Sequence, residues 1–193
     1  MNRKHIHEII DALNDVTDSD DEVIVFFSGI YSLRALFNIP IKEIPVLVLD
    51  SIIEFAGKNK TVIFPTYTFN YVKNRIFDIK KSPAETGVLA QTALLHQKFS
   101  RTSHPICSYA VMGPRARELT LLNEITPWGS GSVLEWIDKI NARICILGEK
   151  WHNACTHIHR SEEILEVPYR YYKKFPGKRV EINNTMTPVN PVL

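Results

Sequence analysis

Residues 23–27 have the sequence Val23-Ile24-Val25-Phe26-Phe27, a continuous apolar run typical of a strand that is buried on both faces. Two more runs of this kind are Thr61-Val62-Ile63-Phe64 and Arg143-Ile144-Cys145-Ile146-Leu147. Helical patterns accompany them, with i, i+3, i+4 apolar spacing at 6–16 and further helices predicted at 41–55 and 115–122. Strands that alternate with helices predict an α/β fold: a single three-layer domain with a central mixed β-sheet and helices on both faces.

Two capping boxes predict where further helices begin. They are Ser82-Pro83-Ala84-Glu85, which would start a helix that continues to Leu95, and Ser132-Val133-Leu134-Glu135. The C-terminal part has a different pattern. Residues 169–172 and 179–182 have the features of strands with one exposed face, and we expect an antiparallel edge hairpin around Pro176-Gly177.

Composition excludes several classes of protein. The chain has 193 residues, which fits one domain over 1–193 with a continuous apolar core. Its formal charge of +2 is too small for a nucleic-acid-binding protein. No apolar run approaches the roughly 18 residues of a membrane span. The 3 cysteines are odd in number and irregularly spaced, so a disulfide framework is not expected and a cytoplasmic protein is predicted.

Two segments bring His, hydroxyl and carboxylate side chains together. The first is Ser103-His104-Pro105 followed by Ser108, and the second runs from Cys155 through Thr156 and His159 to Glu162 and Glu163. If the second segment is helical, Glu162 lies on the same face as His159, at i+3. A carboxylate placed there can hold one ring nitrogen and leave the other basic, which is the arrangement of a general base.

In order and spacing, a set of landmarks resembles the aminoglycoside 3-N-acetyltransferase family. They are Phe64-Pro65-Thr66, Ser82-Pro83, Gly87, Arg101-Thr102-Ser103-His104-Pro105, Ser108, Gly113, Gly131-Ser132, Leu147-Gly148 and Thr156-x-Ile158-His159-x-x-Glu162. The resemblance implies transfer of an acetyl or similar acyl group from coenzyme A to a primary amine of an aminoglycoside or other amino sugar. It makes His159 the general base, Glu162 its partner and Thr156 a third catalytic residue, with acetyl-CoA as co-substrate and no metal.

The resemblance also implies a site for coenzyme A. The residues expected to contribute are Ser28, Gly29, Ser82, Thr86, Gly87, His104 and Ser108. A helix start with glycine beside it offers free N–H groups for phosphates. The family usually has His-Ser-Ser where this chain has Phe26-Phe27-Ser28, so a contact through that His is absent. His104 precedes Pro105 and is held extended, which also fits a residue that only orients a loop.

Alternatives stay open at this point. His152, Cys155, His157 and His159 carry ligand atoms that suit zinc, and a hydrolase using zinc-bound water is one alternative. A non-catalytic sugar-binding or scaffold relative is another, because family members typically continue further beyond the catalytic segment. His157 is the reserve candidate for the base. The expected partner is a small-molecule amine, with no nucleic acid and no membrane, and a homodimer is a reasonable default.

Overall fold

The structure is a computed structural model that describes residues 3–122, 124–154 and 156–193. Helices and strands alternate along most of the chain. Short 3₁₀ turns occupy Ile30–Ala35 and Ile41–Glu43. The elements are α1 (Arg3–Val16), β1 (Val23–Ser28), α2 (Ile44–Ala56), β2 (Thr61–Pro65), α3 (Tyr71–Asn74), β3 (Ile76–Asp78), α4 (Val88–Leu95), β4 (Ser100–Arg101), β5 (Tyr109–Met112), α5 (Ala116–Thr120), α6 (Val133–Lys139), β6 (Arg143–Leu147), α7 (Trp151–Ala154), α8 (Ile158–Ile164), β7 (Gly177–Val180) and β8 (Met186–Val189).

The central sheet is mixed and has the strand order β4-β5-β2-β1-β6. The three apolar runs are neighbours in it: β1 pairs in parallel with β2, and on its other side in parallel with β6, from Ile24 beside Arg143 to Ser28 beside Leu147. β5 then pairs antiparallel with β2, and β4 antiparallel with β5. The predicted mixed sheet is therefore confirmed, with the most apolar strand, β1, lying between two parallel partners.

Helices cover both faces of this sheet. Alternate residues of β1 point to opposite sides, as the pleat requires. Ile24 and Phe26 pack into a core with residues of α1, α2 and α4, whereas Val25 and Phe27 pack into a second core with residues of α5 and α6. Three layers follow from this arrangement. In the described part of the chain, every helix is too short or too polar to span a lipid bilayer.

The two capping boxes have different outcomes. The second is confirmed: Ser132 Oγ accepts from the Glu135 N–H at 3.1 Å at the start of α6. The first is wrong, because α4 begins only at Val88, with Gly87 before it. Ser82 Oγ instead accepts from the Asp78 N–H at 2.8 Å and closes the turn after β3. A local side-chain bond has replaced the predicted cap.

The predicted C-terminal hairpin is also corrected. Residues 169–172 form no strand, and Gly177 begins β7 instead of lying in a turn. β7 pairs antiparallel with β8 and in parallel with β3, which makes a second, three-stranded sheet. The strand starts at a glycine because a Cβ there would lie 2.4 Å from the Arg75 carbonyl oxygen and 2.5 Å from the Tyr71 hydroxyl. Long-range contact with the segment before β3 therefore decides the pairing.

Candidate active site

A cavity of about 270 Å³ opens beyond the carboxyl ends of β1 and β2, where ligands of α/β sheets usually bind. Three of the predicted site residues line it: Ser28 at the end of β1, Thr86 before α4, and Thr156 before α8. The remaining lining is mostly apolar and includes Phe26, Phe27, Pro65, Tyr67, Phe69 and Ala90, with Glu149. The sheet thus brings together residues that lie far apart in sequence, around one mostly apolar space.

Two glycines, Gly29 and Gly87, are the chain neighbours of the lining residues Ser28 and Thr86. The Gly29 N–H donates to the Leu147 carbonyl oxygen at 2.9 Å, which ties the loop after β1 to the end of β6. Gly87 has φ +126°, a conformation that favours glycine, and an added Cβ would lie 3.5 Å from the Ser28 carbonyl oxygen. Ser28, Gly29, Thr86 and Gly87 therefore lie in one group near the start of α4.

The predicted acid–base pair forms on α8. His159 Nδ1 lies 2.8 Å from Glu162 Oε2, and the side chains are 31 % and 18 % exposed. The hydrogen bond from His159, with help from Arg170, lowers the pKa of the Glu162 carboxyl from its ordinary value. A carboxylate acceptor at Nδ1 favours the tautomer with hydrogen on Nδ1. Among the described residues Nε2 has no hydrogen-bond partner, so this nitrogen is available to take a proton.

Three further side chains hold this pair. The Arg170 guanidinium lies against both Glu162 Oε2 and His159 Nδ1. Because a guanidinium can only donate, it donates to the carboxylate when Nδ1 carries the hydrogen. The Tyr169 hydroxyl donates to Glu162 Oε1 at 3.2 Å. The Trp128 ring packs against the imidazole with 4.9 Å between the ring centroids. These contacts come from segments on either side of α8, so the ring orientation depends on the fold as well as on the i+3 spacing.

A second cavity, of about 290 Å³, adjoins the other side of this pair. Its lining is acidic and aromatic: Trp128, Glu162, Glu163, Glu166, Val167, Arg170, Tyr171, Tyr172 and Leu193. The start of α8 lies between residues of the two cavities, and there the His159 N–H donates to the Thr156 carbonyl oxygen at 3.1 Å. Thr156 therefore contacts one cavity, and Glu162, one helical turn after His159, contacts the other.

The other predicted coenzyme A residues lie outside the first cavity. His104 is fully buried, its Nδ1 accepts from the Cys107 N–H at 2.9 Å, and burial lowers its pKa from 6.5 to about 3. Ser108 Oγ and the Ser82 carbonyl oxygen both accept from Arg101, which is itself buried. This geometry gives His104, Ser108 and Ser82 a role in holding the loops around the cavity, which was the alternative for His104.

Comparison with known proteins identifies the family. The profile of the aminoglycoside 3-N-acetyltransferase family matches residues 31–188. The chain belongs to this family. It is therefore an enzyme of the acetyltransferase type, and the resemblance drawn from the sequence is confirmed. No curated protein matches the chain with significance.

Several solved structures share the fold. AAC-IIIb in a binary complex with CoASH has a TM-score of 0.79 and 15% identity, over 96% of this chain and 75% of that chain. Sisomicin-bound AAC-VIa has a TM-score of 0.81 and 17% identity, over 97% of this chain and 74% of that chain. The YokD protein from Bacillus subtilis has a TM-score of 0.77 and 13% identity, over 100% and 82% of the two chains.

Two of the histidines proposed as zinc ligands, His152 and His157, contact other side chains in this acetyltransferase. His157 Nε2 lies 2.6 Å from Asp138 Oδ1, and the exposed His152 ring packs edge-on against Trp151. Cys155 lies outside the described residues. Within the described ranges, no three His, Cys, Asp or Glu side chains form a group able to hold a metal ion. His157 is engaged with a carboxylate on α6, and it is less suited than His159 to act as the base.

Sequence reasoning missed several residues of the site. Tyr67 follows β2, and its hydroxyl lies 2.8 Å from Thr156 Oγ1 and 2.9 Å from the Tyr109 hydroxyl. The signal available was that Tyr67 comes two positions after the strand-ending Pro65. Arg170 was interpreted as part of a solvated strand, although it contacts the acid–base pair. Nothing in the sequence near Arg170 indicated that contact.

Proposed function

We propose that this acetyltransferase moves an acetyl group from acetyl-CoA to a primary amine of an aminoglycoside or other amino sugar, with His159 as general base oriented by Glu162. One observation carries this proposal: the 2.8 Å contact of His159 Nδ1 with the Glu162 carboxylate, on a helix that begins two residues after Thr156, which lines a cavity at the strand ends. The CoASH complex of AAC-IIIb supports the donor, and the sisomicin complex of AAC-VIa supports the acceptor.

The reaction needs a proton to leave the amine. At neutral pH the acceptor arrives mainly as ammonium; after it loses one proton to water, the neutral nitrogen attacks the thioester carbonyl carbon. His159 Nε2 takes a proton from that nitrogen during attack, and the Glu162 carboxylate stabilises the imidazolium through Nδ1–H. The tetrahedral oxyanion then reforms the carbonyl, the C–S bond breaks, and coenzyme A leaves as a thiolate that takes up the proton. General-base help of this kind contributes about 10² to 10⁴ in rate.

The two cavities suit the two substrates. The first is lined mostly with apolar side chains, with Ser28, Thr86 and Gly87 grouped near the start of α4, which fits a pantetheine chain that leads to a thioester. The second presents the carboxylates of Glu163 and Glu166 beside aromatic rings, which fits a polyamine sugar with several positive charges. The His159–Glu162 pair adjoins the second and is one turn from the first.

The test is a thiol-release assay with acetyl-CoA and a panel of aminoglycosides, amino sugars and simple amines. We expect release with at least one multiply charged amine. His159→Ala should lower kcat by about 10² or more while calorimetry shows unchanged coenzyme A binding. Glu162→Gln, which keeps an acceptor without charge, should lower kcat by roughly tenfold.

The matched control is His152→Ala, since His152 is an exposed imidazole close in sequence whose described contact is the Trp151 ring. It should keep normal turnover, whereas a zinc hydrolase that uses His152 would lose activity and would show zinc by elemental analysis. Near-normal turnover of His159→Ala contradicts the assignment of the base. Binding of acetyl-CoA without turnover on any amine contradicts the proposed reaction and favours the scaffold alternative.

A further inference from the structure

We propose that Tyr67, anchored by Tyr109, is a positioning residue that holds the Thr156 hydroxyl with its hydrogen directed into the first cavity, where it donates to the thioester oxygen of the acyl donor. The inference rests on the proposed function, because it assigns the donor that stabilises the oxyanion in that same site. Neither tyrosine was among the predicted site residues. The proposal is based on a chain of three hydrogen-bonded hydroxyl groups.

The chain runs from the core to the cavity. The Tyr109 hydroxyl lies 2.9 Å from the Tyr67 hydroxyl, which lies 2.8 Å from Thr156 Oγ1. Both rings are buried, with Tyr67 2 % and Tyr109 0 % exposed, and they pack edge-on with 5.6 Å between centroids. The antiparallel pairing of β2 with β5, which sets Pro65 beside Tyr109, brings them together. Thr156 at the end of the chain lines the cavity.

Each hydroxyl has one hydrogen, so the two bonds can run in either direction along the chain or converge on Tyr67. If they converged, the buried Tyr67 hydrogen would have no acceptor among the described residues. If Thr156 donated to Tyr67 and Tyr67 to Tyr109, the Tyr109 hydrogen would have no acceptor among the described residues. A buried donor without a partner costs about 1 to 3 kcal/mol. In the opposite direction Tyr109 donates to Tyr67 and Tyr67 donates to Thr156, and no buried hydrogen is left over. The second direction is favoured, because it satisfies every buried donor.

Both phenols keep their hydrogen over the working pH range. Burial raises the pKa of Tyr67 far above its ordinary value, and burial also raises the pKa of Tyr109. Tyr67 therefore acts as a permanent donor to Thr156. The Thr156 oxygen is held as an acceptor on its buried side, and its own hydrogen is left for the cavity side.

A donor fixed in this way suits the chemistry of the site. Thr156 stands one helical turn before His159, the proposed base, and its carbonyl oxygen accepts from the His159 N–H. A hydroxyl that is already oriented stabilises a developing oxyanion without reorganising during the reaction. The threonine is thus the group that touches the substrate, and the two tyrosines act through it.

Two measurements test the proposal with Tyr67→Phe, Thr156→Val and the double variant. The matched control is Tyr71→Phe, another fully buried tyrosine, whose hydroxyl donates to the Phe175 carbonyl oxygen at 2.9 Å outside the cavity. In the thiol-release assay we expect Tyr67→Phe to lower kcat by about tenfold, with KM for acetyl-CoA changed by less than about twofold. In the Thr156→Val background, Tyr67→Phe should lower kcat no further.

The second measurement needs no acceptor. Acetyl-CoA with ¹³C at the thioester carbonyl is bound to each variant, and its infrared stretch is recorded. We expect a shift to lower frequency in the wild type and in Tyr71→Phe, and a return toward the free value in Tyr67→Phe and Thr156→Val. An unshifted carbonyl in the wild type, or equal shifts in all variants, overturns the positioning role. A Tyr67-dependent shift without thiol release on any amine upholds it and refutes the proposed reaction.

Discussion

Replacing Glu124 by Gln is expected to stabilise the protein at pH 8 and to change its stability little near pH 4.5. Glu124 is 6 % exposed, and its Oε2 accepts from the Val133 N–H at 3.1 Å at the start of α6. Oε1 is buried without a hydrogen-bond partner among the described residues. Because burial penalises the charged form, the pKa of this carboxyl rises from 4.5 to about 8.

The direction in which stability changes with pH depends on how many protons the native and unfolded states bind. Between pH 4.5 and about 8 the unfolded chain has lost the proton of Glu124, whereas the native protein still holds it. The native state then binds more protons, so the free energy of unfolding falls as the pH rises through this window. The difference between 4.5 and about 8 corresponds to about 5 kcal/mol, at roughly 1.36 kcal/mol for each pH unit. Gln keeps the oxygen that accepts from Val133 and has no proton to lose.

The assay is urea unfolding followed by circular dichroism at several pH values from 4.5 to 8.5. We expect the stability difference between Glu124→Gln and the wild type to grow by several kcal/mol across that range. Glu43→Gln, at an exposed carboxylate beside α2, is the control for removal of a negative charge. Parallel stability curves for the Glu124 variant and the wild type would refute the reasoning.

Three other outcomes are expected. Burial lowers the pKa of His104 from 6.5 to about 3, so between these pH values the unfolded chain binds a proton that the native protein does not, and the free energy of unfolding falls as the pH drops. His104→Asn keeps an acceptor near Nδ1 and should make this fall smaller, as measured by urea unfolding at pH 4 to 7. Gly113→Ala should lower the free energy of unfolding by about 3 kcal/mol or more, because φ is +109° and the added Cβ would lie 2.4 Å from the Lys60 carbonyl oxygen. Gly57→Ala, at φ +56° with open space around the Cβ, should lower it by roughly 1 to 2 kcal/mol. Equal losses in the two variants would contradict the packing argument. Ser132→Ala should lower the melting temperature through a loss of about 1 kcal/mol, while Ser132→Asp should retain most of the stability.

Local signals in the sequence predicted the parts of the fold whose causes are local. The apolar runs at β1 and β2 form strands that are buried on both faces, whereas the run at β6 forms an edge strand in which only Cys145 is buried. The capping box at Ser132 forms because Glu135 is three residues away. The capping box at Ser82 does not form, because Ser82 Oγ accepts from the Asp78 N–H and the Ser82 carbonyl oxygen accepts from the buried Arg101, nineteen positions later. A competition of that kind is decided by tertiary structure.

In the candidate site, too, contacts with a local cause were predictable and contacts that depend on tertiary structure were not. The contact of His159 with Glu162 follows from helical spacing and was predicted, although its catalytic role stays a proposal. Tyr67 and Tyr109 meet only because β2 and β5 pair antiparallel, which the apolar pattern of either strand does not specify. The single-domain organisation, the homodimer and the cytoplasmic location likewise stay predictions. Size-exclusion chromatography with light scattering tests the second of these.

The position of β6 beside β1 has a consequence for synthesis. Ile24 and Arg143 are register partners, yet roughly 120 residues separate their emergence from the ribosome, and a sheet of such non-local pairs forms slowly. Until the later strand arrives, the nascent polypeptide presents one side of its most apolar strand as an open edge, which invites pairing with other chains. Chains released before residue 143 should therefore depend on chaperones or form inclusion bodies.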